Sequence, residues 1–247
     1  MKMRISVAAA ISGAALFFSA MGAAGQTTKI TFGNWSAESG PYPATVGGQN
    51  TLVVCDDYAD HVETGETWDV TTLQASKLTT SNITQTYFGG LGVNDYHETA
   101  QEMVNVYTAI AYLSEALLTA PGQPLTDNST ATVLTNVDSG NWTAAQVNEA
   151  IWDLTSPFQG GSSTTFSGGP SDLASYVESL VGSSINLSSF SDLYFHTAVV
   201  GSESDKGLGQ PQEMVSVPEG GAAPMYLLIA CAVCFGAIRF GAERKTA

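Results

Sequence analysis

Basic side chains are scarce in this chain. Eight lysines and arginines face 23 acids across 247 residues, a formal charge of −15. Between residues 26 and 217 only Lys29, Lys77 and Lys206 are basic, against 21 acids, a net charge near −18. Such a surface repels phosphate backbones and anionic lipid, which excludes nucleic acid as a partner. Cysteine is equally sparse. Cys231 and Cys234 lie three apart in an apolar run and share a helix face. Cys55 is the one cysteine before them, so the central part of the chain forms no intrachain disulfide. Catalytic signatures are missing too: there is no Gly-x-Ser-x-Gly, no phosphate-cradling glycine loop and no His-Glu-x-x-His. His61, His97 and His196 are too scattered for a zinc site. The chain is therefore read as non-enzymatic, without cofactor or metal. A secreted hydrolase is the alternative, because a carboxylate pair cannot be singled out among so many acids.

The two ends carry what the middle lacks. Lys2 and Arg4 precede an apolar, small-residue stretch from Ile5 to Met21, then Gly22-Ala23-Ala24-Gly25. That is the pattern of a secretory signal peptide, residues 1–25, removed by signal peptidase. At the other end Val217-Pro218-Glu219-Gly220-Gly221 leads into seventeen uncharged residues from Ala222 to Ile238, followed by Arg239, Arg244 and Lys245. A helix of that length spans about 26 Å, close to a thin bilayer core. The basic cluster fits a cytoplasmic, stop-transfer flank. One transmembrane helix is expected at 222–240.

The tail, with its polar motif, short span and basic end, resembles the PEP-CTERM sorting signal of Gram-negative, exopolysaccharide-producing bacteria. It departs from that pattern at Gly220, where a second proline is usual. The resemblance implies recognition by an exosortase, a membrane-embedded cysteine transpeptidase. It further implies an exported protein that is membrane-anchored first and then at the cell surface or in the extracellular matrix, with exopolysaccharide as a candidate partner. The chain then divides into a signal peptide (1–25), an extracytoplasmic domain (26–200), a polar stalk (201–216) and the sorting signal (217–247).

Within the domain, hydrophobic period changes along the chain. Lys29-Ile-Thr-Phe32, Thr51 to Cys55 and Thr67 to Thr71 read as strands, with turns at Gly40 to Pro43 and at Gly47-Gly48. Phe88 to Val93, with three glycines, reads as a loop. Asp95 to Glu98 has the form of a capping box for a helix carrying Met103, Tyr107, Ile110, Leu113 and Leu117. Thr143 and Gln146 open a second helix, and Ser171 caps a third that runs to Leu180. Leu187 to Val200 is β-like and closes the domain. The order predicts an α+β fold: a β-sandwich or barrel-like sheet with a helical insertion.

Three constellations are candidates for function. Cys55-Asp56-Asp57-Tyr58, Gly65-Glu-Thr-Trp68 and Ala150-Ile151-Trp152-Asp153-Leu154 resemble exported PEP-CTERM proteins and, more distantly, the thioester domains of Gram-positive surface adhesins. Those domains join a strand cysteine to a glutamine two residues before Ala-Ile-Trp, making an electrophile for amines. Here that position is Asn148, one methylene shorter, so the thioester candidates are Cys55 and Asn148. The alternative is a buried structural thiol and a helix-surface amide, with Gln146 serving as cap partner of Thr143. Asp56, Asp57, Asp60 and His61 could hold a hard cation, yet the twelve-residue calcium loop is absent, and a solvated acidic turn is the plainer reading. Trp35, Trp68, Trp142 and Trp152 could stack on sugars, although packing is the usual role of such residues. Asn34, Asn82, Asn128, Asn141 and Asn186 begin Asn-x-Ser/Thr triplets.

Overall fold

The computed structural model describes residues 27–34, 40–57, 63–120, 132–137, 140–159, 170–199 and 212–217. The signal peptide, the transmembrane segment 222–240, Trp35, Asp60, His61, Asn128 and the sorting residues from Pro218 onward lie outside them. Among the described residues no helix is long and apolar enough to cross a membrane.

Six strands close into an antiparallel barrel: β1 (Thr27–Phe32), β2 (Tyr42–Val46), β3 (Gln49–Cys55), β4 (Thr67–Gln74), β7 (Tyr194–Ala198) and β8 (Met214–Ser216). Their order around the barrel is β1-β2-β3-β8-β7-β4, and β4 returns to β1. The fold is thus α+β with a closed barrel. Between β4 and β7 the chain makes α1 (Tyr87–Asn94), α2 (Ala100–Thr119), a hairpin of β5 (Thr132–Val137) and β6 (Gly140–Thr143), α3 (Ala144–Thr155) and α4 (Pro170–Leu180). This is the helical insertion that the residue pattern predicts.

Two cores result. Ile30, Phe32, Tyr42, Val53, Cys55, Trp68, Val70 and Met214 fill the barrel. Val54, Leu73, Phe195 and Val215 belong instead to the core under the helices, with Met103, Tyr107, Ile110 and Ile151. Because side chains alternate along a strand, β3 and β8 are covered on both faces where they meet.

Several expectations are corrected. The polar stalk at 201–216 does not hold for its last residues: Met214–Ser216 is β8, fully buried between β3 and β7, and residues 201–211 lie outside the described residues. The turn at Gly40 to Pro43 gives way to β2 from Tyr42; Pro43 has no N–H, but its carbonyl accepts from Gly33 N at 2.9 Å. The glycine loop is helix α1, since Gly89 lies against Ile83 and Thr86, and Gly92 against Met103, where a Cβ would intrude. The capping box of α2 is Thr99 with Glu102, not Asp95 with Glu98. Asp95 caps the end of α1 through its N–H to Leu91 O, and His97 turns the chain at φ 61°. The Thr143–Gln146 box of α3 is present as expected. Helix α4 begins at Pro170, one residue before the expected cap at Ser171.

Candidate functional site

The site lies where the end of β3 meets the residues leading into β8. Cys55 ends β3 and is 4% exposed. Its Sγ lies 2.8 Å from Gln212 Oε1 and 3.0 Å from Asp57 O, and Asp57 N approaches the sulfur at 3.4 Å. A sulfur atom is larger than an oxygen, yet the contact to Gln212 is as close as an ordinary N–H···O bond. The thiol is thus pressed against a carboxamide 157 residues away. The phenol of Tyr42 shares the compartment; burial first, and the neighbouring Cys55 second, push its pKa up.

One face of α3 fixes the backbone beneath the thiol. Trp152 Nε1 donates to Cys55 O at 3.0 Å, and Thr155 Oγ1 donates to Asp56 O at 2.6 Å. Asn148 Oδ1 accepts from Gly40 N at 2.8 Å, while its Nδ2 approaches Cys55 O at 3.5 Å. Asn148, Trp152 and Thr155 stand at i, i+4 and i+7, which is one helical stripe. Asn148 is fully buried, which corrects the helix-surface reading. Its amide is engaged by backbone, and the carboxamide brought to the sulfur is Gln212's. Gln146 is the cap partner of Thr143, as expected.

Directly after the thiol–amide pair comes a pair of carboxyls. Asp56 and Glu213 are both fully buried and Asp57 nearly so, which corrects the solvated acidic turn. Glu213 accepts from the Tyr107 hydroxyl, from the Thr197 hydroxyl and from Tyr87 N at 3.1 Å. Asp56 has no donor for either carboxyl oxygen. Burial, then the charges of Glu213 and Asp57, hold the Asp56 carboxyl well above the usual carboxylate range. Burial also raises Glu213, opposed by the hydrogen bonds it accepts. Among the described residues no histidine, cysteine and carboxylate cluster is arranged to hold a metal.

The remaining candidates fall elsewhere. Trp68 stacks on Phe32 inside the barrel at 5.2 Å, and Trp142 Nε1 donates to Val137 O, so both are packing residues in this arrangement. His196 is buried between Thr72 and Ser216, and burial lowers its pKa to about 4. Val217 O accepts from Thr51 Oγ1 at 3.0 Å; Pro218, Glu219, Gly220, Gly221, Arg239, Arg244 and Lys245 lie outside the described residues. A groove of about 490 Å³, lined by Glu98, Glu102, Asp153 and Glu178 over Met103 and Phe158, opens on the helical side.

Sequence reasoning missed Gln212 and Glu213. The available signal was Met214-Val215-Ser216, a short β-like run in an otherwise polar tail. No family model matches the chain, and neither the curated proteins nor the solved structures contain a match.

Proposed function

We propose that this chain is an exported cell-envelope protein, sorted at its C-terminus by an exosortase-type system, with a structural or adhesive role in the extracellular matrix. The observation that carries the reading is the three-part tail: a Val217-Pro218-Glu219 motif, a short uncharged run and a basic end. The last barrel strand ends at Ser216, immediately before that motif, which supports a folded domain that finishes where the sorting signal starts. The acidic, lysine-poor middle suits a domain exposed to polysaccharide and cations, not to nucleic acid. The test is to map the mature C-terminus by mass spectrometry in cells with and without the exosortase. Loss of the tail only in cells that have the enzyme is expected; an intact tail in both overturns the reading.

One contact favours a second reading, a covalent adhesin using Cys55. The thiol faces the Gln212 carboxamide, not that of Asn148. Attack of Sγ on Gln212 Cδ forms a C–S bond; the C–N bond breaks, and the amide nitrogen leaves as ammonia with the thiol proton. The thioester so formed acylates a primary amine on another surface and returns the thiol. Intact-mass measurement decides it. A deficit of about 17 Da, the mass of ammonia, abolished in Cys55→Ala and Gln212→Ala but kept in Asn148→Ala, is expected. A mass equal to that of the unmodified chain ends this reading and leaves the sorting proposal intact.

A further inference from the structure

We propose that Asp56 and Glu213 share one proton and together form a latch that clamps the segment bearing Gln212, and β8 with it, against the end of β3. The argument begins with unsatisfied atoms. Asp56 is fully buried, and with both carboxyls ionised neither of its oxygens has a donor. A buried charge without a partner is heavily penalised, so one proton stays. Glu213 already accepts from Tyr107, Thr197 and Tyr87 N, which marks it as the anion of the pair. Protonated Asp56 then supplies the missing donor toward Glu213, a charge-assisted bond.

The groups facing the pair come from every adjoining element. Asp57 lies on the same segment and adds negative charge. Helix α2 supplies Tyr107, whose phenol is itself raised by burial and then by Glu213 and Asp56. Helix α1 supplies the Tyr87 amide, β7 the Thr197 hydroxyl, and α3 the Thr155 hydroxyl on the Asp56 carbonyl. Among the described residues no basic side chain contributes to either carboxyl's environment. Beyond those neutral donors, a shared proton is therefore the one positive charge that the described residues offer at this position.

The location gives the latch its consequence. Cys55 adjoins Asp56, and Gln212 adjoins Glu213, so the thiol–amide contact and the carboxyl pair are successive rungs between the same two segments. Strand β8 has only three residues. When the proton leaves, two carboxylates repel inside the fold, and the segment to yield is this short one. The latch does not depend on the proposed sorting or on a thioester.

The sign follows from where the proton is held. Asp56 keeps its proton in the folded protein at pH values where the unfolded chain has lost it, so the latch is fully closed in acid and weakens as pH rises toward the raised folded value. Hydrogen exchange on the purified full-length protein reads this directly, as protection of the β8 amides corrected for the intrinsic rate. Asp56→Asn replaces the proton-dependent donor by a permanent one. The wild-type protection, relative to Asp56→Asn, is expected to fall by up to about tenfold per pH unit above pH ~4, one proton being released on opening. His196 titrates alike in both proteins and cancels. A wild-type to variant ratio that stays flat with pH overturns the proposal. Should Asp56→Asn not fold, the infrared spectrum of the wild type decides: a protonated-carboxyl carbonyl band persisting at neutral pH is expected, and its absence overturns the latch.

Discussion

Replacing Asn148 by alanine separates two roles for one amide. In the structure its Oδ1 is the acceptor for Gly40 N at 2.8 Å, and no part of the side chain is exposed. Truncation leaves a buried N–H without that acceptor, a loss of about 1–3 kcal/mol. The void left by the amide adds about 1 kcal/mol, since Trp152 still holds Cys55 O and the site cannot collapse freely. Gly40 cannot fill the gap; its own ideal Cβ direction lies 2.9 Å from Asn148 Oδ1, but it has no side chain to send there. The sum, about 2–4 kcal/mol, is roughly 5–15 °C in Tm for a domain of this size. Asn148→Asp keeps the shape and the acceptor but places a charged oxygen toward the Cys55 carbonyl, so it is expected to be at least as damaging. Thermal unfolding followed by circular dichroism measures both. A change within about 0.5 kcal/mol for Asn148→Ala, the range of an ordinary surface substitution, refutes the buried clamp.

Four further substitutions test neighbouring parts. Gly89→Ala drives a Cβ into Ile83 O and the Thr86 hydroxyl, whereas Gly92→Ala meets the thioether end of Met103; thermal unfolding is expected to show a loss near 3 kcal/mol for the first and clearly less for the second, because a methionine tip can move and a backbone carbonyl cannot. Tyr107→Phe deletes a donor to Glu213 and the acceptor of Phe88 N at once, so urea titration is expected to show a loss of about 2–4 kcal/mol. His196 is neutral when folded, with its pKa moved from 6.5 to about 4; its contribution is complete above the unfolded value and is lost as pH falls through the folded one. Stability should therefore drop by as much as ~1.4 kcal/mol per pH unit from this group between those limits, and His196→Gln should remove that slope in urea titrations run across the range.

What could be read in advance was local. The alternation of Lys29 to Phe32 and of Thr67 to Thr71, the glycine pair at 47–48 with positive φ at both positions, and the Thr143–Gln146 box each depend on residues a few positions apart. What could not be read depends on who arrives from far away. Nothing near Asn148 announces that its acceptor atom meets Gly40, 108 residues earlier. Three glycines in eight residues argue against helix α1 by propensity, and the closeness of Ile83 to Gly89, and of Met103 to Gly92, explains two of them. The acids at 56 and 57 look like a wet turn because two adjacent carboxylates usually are one; barrel closure buries them.

The closing strand shows why fold and candidate site are one problem. A three-residue strand makes few ladder bonds, and β8 must bridge β3 and β7 to seal the barrel. Side chains supply the rest of its attachment. Ser216 bonds His196 Nε2 at 2.7 Å, Val217 O accepts from Thr51, Glu213 gathers donors from three elements, and Gln212 lies on the Cys55 sulfur. Every contact that aims Gln212 at the thiol is therefore also a contact that keeps the barrel shut. A substitution that loosens β8 is bound to weaken the thiol–amide alignment. The reverse does not follow, because Gln212→Ala leaves Glu213, Ser216 and Val217 in place. That asymmetry makes Gln212, not Asn148, the residue whose replacement tests the proposed thioester without opening the fold.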